Sequence, residues 1–195
     1  MIAEGLLAGH DLMTRRSVKP RNLEGPEFSE AETRAVIDAA IRVPDHGRLT
    51  PWRFFLIHPE DQAAFNIMLA DRMRVVKPGL PEESYAAWAD EKIVPLVVVV
   101  GANYHHDHHK VPVWEQRMSC GAACMNMLNA AHSLGLGGQW ISEWPCLDQE
   151  VRSWFDCEEL IAIMYLGRPS EPAPERGRAT FDDVTFRWRA PQKGN

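Results

Sequence analysis

Three cations and a hydroxyl fall within five residues at Arg15-Arg16-Ser17-Val18-Lys19, the densest basic group in the first half of a 195-residue chain whose formal net charge is −6. Two guanidinium forks and a serine hydroxyl suit a phosphate, because arginine offers paired donors in a plane and no acceptor. The same residues close a helix expected over residues 2–14, where arginine favours the negative end of the dipole, so charge alone leaves a phosphate clamp and a solvated helix terminus both open. A second group lies in Arg42-Val-Pro-Asp-His46-Gly-Arg-Leu-Thr-Pro-Trp52. Asp45 and Gly47 favour a turn, which makes His46 a presented side chain, and Arg42 sits four residues earlier in a last helical turn. Such a polar, aromatic-bearing loop suits a planar ligand. A third is Gly135-Leu-Gly-Gly-Gln-Trp-Ile-Ser142, whose glycines would let backbone amides approach a flat ring while Trp140 to Ser142 start a strand beside it. It follows a helix and enters a strand, so it is not a dinucleotide fingerprint.

Two further groupings are read more plainly. His105, His106, His108 and His109 crowd around Asp107 in one loop. Imidazoles bind transition metals, yet a closed zinc site draws separated pairs from opposed elements, so the tract reads as adventitiously metal-sticky and no metal is assigned. Cys120 and Cys124 share a helix face without Cys-x-x-Cys spacing and read as small buried residues.

These groups need elements that hold them. Ser29-Glu30-Ala31-Glu32 matches a capping box, and Val36, Ile37, Ala40 and Ile41 recur at helical spacing, which predicts a helix running to about Arg42. Strands are predicted over 54–57, 95–101 and 160–166. The middle one, Pro95-Leu-Val-Val-Val-Val-Gly101, is apolar throughout and reads as central and buried on both faces. Helices are predicted over 61–75, 82–93, 113–134 and 148–155, the third closed by Gly135 and the last opened by Asp148. Small residues from Ser119 to Ala123 would let another backbone approach the long helix, as at a subunit seam. After Gly167 the chain turns Pro/Glu/Arg-rich, and Val184, Phe186 and Trp188 then alternate, predicting an edge or exchanged strand over 181–189 that packs on a partner subunit.

The length fits one domain with enough apolar residues for a core. An acidic chain without an extended basic face argues against binding nucleic acid. The four cysteines do not form a disulfide framework, the start lacks a signal-peptide pattern, and the longest apolar run, 93–102, is too short to span a bilayer. The expectation is a cytoplasmic protein that does not enter a membrane.

In this order, Arg-Arg-Ser-x-Lys, Pro-Asp-His-Gly with Thr-Pro-Trp, a small-residue helix, Gly-Leu-Gly-Gly-x-Trp and an apolar strand followed by Gly-x-Pro, the chain resembles the FMN-dependent nitroreductase family, most closely its short bacterial branch. The resemblance implies an α+β (three-layer α/β) fold with a central mixed, mainly antiparallel sheet flanked by helices. It further implies one FMN-binding domain over residues 1–195 and a homodimer with an exchanged C-terminal tail. It places Arg15, Arg16 and Ser17 on the FMN phosphate and ribityl chain, and Lys19 near the pyrimidine end of the ring, where a cation favours reduced flavin. Arg42 and His46 match cofactor positions of the short branch, Trp140, Ile141 and Ser142 match the segment along the isoalloxazine, and Arg176 and Arg178 match a late basic pair closing on the phosphate. Longer relatives carry an amide-rich loop before Pro-Trp that is absent here, so His46 or backbone groups must replace those flavin contacts. The implied activity is transfer of hydride from NAD(P)H through FMN to a small-molecule electron acceptor, a nitroaromatic or quinone, with no catalytic dyad because the flavin carries the chemistry. A non-catalytic flavin-binding carrier or sensor is the alternative.

Overall fold

The computed structural model describes residues 11–189. Most of the helix expected over 2–14 lies outside them; Asp11–Thr14 is helical (α1). A two-residue strand, Leu23–Glu24 (β1), precedes α2, Glu30–Ala40. The capping box forms: Ser29 Oγ accepts from Glu32 N at 3.2 Å, and Glu32 Oε2 accepts from Ser29 N at 2.9 Å, so donors that the first turn leaves without partners are satisfied reciprocally. There follow β2 (Trp52–Ile57), α3 (Pro59–Val76), α4 (Glu82–Ala89), β3 (Leu96–Ala102) and α5 (Val113–Ser133). The chain continues with β4 (Gly137–Ile141), α6 (Trp144–Leu147), α7 (Gln149–Ser153), β5 (Glu159–Pro169) and α8 (Phe181–Val184).

Every strand pairing among the described residues is antiparallel, with one isolated parallel bridge between Ser17 and Gly138. The valine run is interior and fully buried, as its composition predicts, but the hub is β5, which pairs with β1, β3 and β4. Strand alternation splits the run between two cores. Leu96, Val98 and Val100 pack with Val36 and Ala40 of α2 and Cys124, Met127 and Leu128 of α5, while Val97 and Val99 face Phe65 and Leu69 of α3 and Val151 of α7. The result is the expected α+β arrangement of helices over both faces of a mainly antiparallel sheet.

Three local readings are revised. The helix expected over 82–93 ends at Ala89. Beyond it Asn66 Nδ2 donates to Glu91 O at 3.0 Å, and the buried Gln62 side chain bonds both Val94 N and Val94 O, so amides on α3 capture this backbone outside a helix. The strand expected from Trp140 starts at Gly137 instead. A Cβ on Gly138 would lie 2.6 Å from Leu166 Cδ2, and one on Gly137 2.9 Å from both Val18 Cγ2 and Pro169 Cγ, so the glycines permit close packing within the sheet. The strand expected over 181–189 is a helical turn at Phe181–Val184 and then extended chain, pairing with no strand among the described residues. Thr180 and Asp183 form a capping box there, a local bonding pattern that outweighs the alternating apolar positions when no sheet edge is beside them. No helix among the described residues is long and apolar enough to cross a membrane.

Candidate functional site

The Arg-Arg-Ser segment is moored to the start of β4. Val18 N donates to Gly138 O at 3.0 Å, and the Val18 side chain is buried. Arg15 is thereby drawn in to half-burial, and its Nη1 is buried with no hydrogen-bond partner. Burial first, then the charges of Arg178 and Arg16, push Arg15 below the ordinary arginine value. Arg16 gives Nε and Nη2 to Pro174 O at 3.1 and 2.8 Å and approaches Glu175 at 3.4 Å, while Arg178 lies 3.7 Å from the same carboxylate. The segment after β5 is therefore strapped across Arg16, and the Arg178 charge is felt by Arg15 although 163 residues separate them in sequence.

Two cavities flank Arg16. One, of about 250 Å³, is lined by Arg15, Arg16, His132 and Gly137 among others. The other, of about 240 Å³, is lined by Arg16, Ser17, Lys19, Arg21 and Arg176, with Glu171 as its acidic residue. Asn22 Nδ2 holds Glu171 Oε1 at 2.9 Å. In a chain of net charge −6 this corner is locally cationic, and Arg15 has a donor still unmet. An anion with several acceptor oxygens would satisfy it.

The His46 loop stands elsewhere. Asp45 anchors it by accepting from Leu49 N at 3.0 Å and Thr50 N at 2.9 Å. Gly47, Arg48 and Thr50 all have positive φ, at 76°, 55° and 48°, a backbone that non-glycine residues adopt only where the surroundings enforce it. Side chains of α5 supply that enforcement: Ser119 Oγ donates to Pro44 O at 2.7 Å and Asn126 Nδ2 to Arg42 O at 3.0 Å. His46 Nδ1 meets Glu115 Oε1 at 2.9 Å beside a third cavity, of about 330 Å³. This cavity reaches along α5 from Glu115 to Ser119 while the arginine cavity lies against Leu128 and His132, so at 1.5 Å per residue their nearest walls on that helix stand roughly 14 Å apart. One chain does not bring Arg42 and His46 to the arginine corner.

On β4, Trp140 packs with the α5 core and Ile141 with the core on the opposite face, so their side chains cannot share one ring face. Trp140 Nε1 is buried without a partner, and Ser142 is exposed beyond the strand end. Of the clustered histidines, His108 and His109 stack on each other with ring centroids 5.1 Å apart, and the others take separate partners. His106 bonds Glu158 at 2.8 Å, His105 reaches Leu49 O at 3.2 Å, and His108 Nδ1 accepts from Val111 N at 3.0 Å. Among the described residues no group of three or more His, Cys, Asp or Glu could hold a metal ion. All four cysteines are free, and burial pushes the thiols of Cys120, Cys124 and Cys146 up to about 12, leaving no thiolate nucleophile near neutrality. Sequence reasoning missed Arg21, the strap at Pro174 and Glu175, and the α5 side chains Glu115 and Ser119. Each acts through a contact between residues distant in sequence, for which spacing carries no signal.

The fold and its arginine-lined corner define an α+β protein able to hold an anionic ligand beside the edge of its sheet. The model described as "Nitroreductase family" matches residues 12–168. An Escherichia coli K12 protein bearing the name "Putative NAD(P)H nitroreductase YdjA" is 33% identical over 171 residues, covering 81% of this chain and 86% of that protein. A Haemophilus influenzae protein, "Putative NAD(P)H nitroreductase", is 32% identical over 181 residues, covering 90% and 96%. In fold, the chain resembles a nitroreductase-like family protein from Bacillus cereus, with TM-score 0.71, 16% identity and coverage of 91% and 93%. It also resembles a Bacteroides fragilis nitroreductase with bound FMN, with TM-score 0.69, 20% identity and coverage of 92% and 97%. The chain belongs to the nitroreductase family.

Proposed function

We propose that this chain is a single-domain, cytoplasmic FMN oxidoreductase that works as a homodimer and passes reducing equivalents from NAD(P)H to a nitroaromatic, quinone or similar acceptor. The observation that carries the reading is the buried Arg15 Nη1 without a partner in a cluster with Arg16 and Arg178, a feature that the phosphate of FMN would complete. Arg15, Arg16, Ser17 and Arg178 would hold the phosphate and ribityl end. Lys19 and Arg176, which line the adjoining cavity with Ser17, would supply positive charge further along the cofactor. FMN, when bound, supplies the hydride-accepting chemistry. The relatives named as NAD(P)H nitroreductases and the FMN-bound structure of the same fold support the assignment.

The separation of the His46 loop from the arginine corner supports a shared site, in which Arg42 and His46 of a second copy face the cofactor. Trp114 and Met118, one turn apart on α5, are 60% and 65% exposed, and Phe186 and Trp188 in the tail 83% and 80%. Apolar surface of that extent on a helix and a tail favours burial against another subunit. In such a dimer the segment Trp140 to Ser142 would lie along the ring, with Trp140 and Ile141 contributing backbone and Ser142 its exposed side chain.

The test begins with the absorption spectrum of the purified protein and the flavin released on denaturation, followed by anaerobic mixing with NADH or NADPH. Bound FMN, bleached by at least one nicotinamide and reoxidised by a quinone, is expected. A protein that cannot be reconstituted with FMN overturns the reading, and one whose bound FMN resists both nicotinamides is a carrier or sensor. Sedimentation that returns a flavin-saturated monomer overturns the shared site.

A further inference from the structure

The pair formed by His46 and Glu115 has a geometry that cofactor binding alone does not require. Its two side chains are 53% and 35% exposed at the mouth of the third cavity and lie 2.9 Å apart through His46 Nδ1. An ionised glutamate only accepts, so Nδ1 carries the proton and points at Glu115. Nε2 makes no hydrogen bond among the described residues, and the residue lines the cavity. The loop that presents this imidazole is held from several sides: Asp45 accepts from Leu49 N and Thr50 N, Ser119 Oγ donates to Pro44 O, and Gly47, Arg48 and Thr50 are kept at positive φ. A strained backbone fixed by this many anchors is the setting in which a reactive side chain is positioned. The charged and titratable groups around it are Asp45 and Arg48 in its own loop, Glu115 on α5, and His105 and His108 in the loop after β3. Of these, His105 bonds Leu49 O and His108 Nε2 would lie 3.6 Å from a Cβ on Gly47.

We propose that His46 is the proton donor to the electron acceptor and that Glu115 is the positioning residue that fixes its tautomer and orientation. The inference rests on the shared-site dimer proposed above, since His46 would serve the site built on the arginines of the other copy. A quinone that receives a hydride equivalent, supplied by NAD(P)H through FMN, becomes a hydroquinone monoanion. The Nε2–H bond of the imidazolium breaks as an O–H bond forms on that oxygen, leaving neutral imidazole with its Nδ1–H on Glu115. Water then returns the proton to the half-exposed ring. A nitroarene taking one hydride and one proton yields the nitroso compound and water, so the demand is again one proton for each hydride. A carboxylate behind the histidine fixes its tautomer and ring orientation, the arrangement that general acid–base catalysis uses elsewhere.

The test compares His46→Gln and Glu115→Gln with the unaltered protein, all loaded with FMN and reduced anaerobically by NAD(P)H, then mixed with a benzoquinone or with ferricyanide. Ferricyanide takes electrons without a proton and so serves as an internal standard. The ratio of quinone to ferricyanide rates should fall about ten- to a hundred-fold in His46→Gln, at the lower end of general acid contributions. In Glu115→Gln it should fall less, with an altered pH profile. Histidine-labelled 15N spectra of the cofactor-free protein give an independent readout, in which neutral His46 should be the Nδ1–H tautomer and lose that preference in Glu115→Gln. A ratio unchanged in both variants, or an Nε2–H tautomer in the unaltered protein, overturns the proposal. Failure to bind flavin, or bound flavin that NAD(P)H does not bleach, is seen before any acceptor is added, and both readings then fall together.

Discussion

Arg15→Met should move two measurements in opposite directions. In the cofactor-free protein Arg15 is half-buried, carries an unmet buried donor at Nη1, and is pressed by the charges of Arg178 and Arg16. Arginine stays charged at every working pH, so this penalty is always present. An unsatisfied buried donor costs about 1–3 kcal/mol. Because the residue is half-exposed, the lower end applies, and an apolar chain of similar reach should stabilise the cofactor-free fold by about 1 kcal/mol. For a chain of this size that raises Tm by about 2–4 °C. In the loaded protein the same change deletes charge-assisted hydrogen bonds to phosphate, worth about 1.5–3 kcal/mol, which weakens FMN binding about ten- to 150-fold. Calorimetry of protein stripped of flavin gives the first quantity. Fluorescence titration with FMN and with riboflavin gives the second, and because riboflavin has no phosphate, the variant should erase most of the preference between them. A Tm that falls by several degrees while the preference for FMN survives would show Arg15 to be a structural strut and refute the reasoning.

Gly138→Ala places a Cβ 2.6 Å from Leu166 Cδ2 and 3.0 Å from Tyr165 O, a backbone atom that cannot swing aside. Overpacking of this kind costs about 1–3 kcal/mol in urea unfolding, whereas Gly177→Ala, with nothing within 4 Å of its Cβ, should stay within about 0.5 kcal/mol. Asp148 is held below the ordinary carboxylate range first by the Arg72 hydrogen bond, at 2.9 Å, and also by Val151 N at the start of α7. A depressed acid contributes stability above its unfolded value and loses it as pH falls through the folded one. The stability gap between the unaltered protein and Asp148→Asn should therefore be flat near neutrality and close below about pH 4. A gap that persists undiminished into that acid window removes the ion pair as its source.

Much of the fold was legible in the residues because its signals are local. Ser29 and Glu32 announce α2 by a bonding pattern confined to four residues, and the unbroken valine run of β3 can only be a strand covered on both faces. Gly135, at φ +74°, ends α5 where expected. The misreadings share one cause. Gly137 and Gly138 look like turn residues by propensity, yet they are strand residues because Val18, Leu128 and Leu166 arrive from elsewhere in the chain to pack against them. The tail alternates like a strand, but a strand needs an edge to pair with, and none among the described residues adjoins Phe181–Val184.

For the site, the sequence alone determined the inventory: a cationic cluster at 15–19, a presented histidine at 46, and late arginines at 176 and 178. Residue type and turn chemistry suffice for that, because each depends on neighbours within a few positions. Only the tertiary structure decided which of these meet. It brought the Arg178 charge within reach of Arg15, tied Arg16 to the strap through Pro174 O, gave His46 its carboxylate partner from α5, and set the histidine loop and the arginines at different stretches of α5. Those are pairings between residues 69 to 163 positions apart, read from 46 to 115 and from 15 to 178. They are fixed by how the two faces of one sheet are covered, and no pattern within a single segment encodes that.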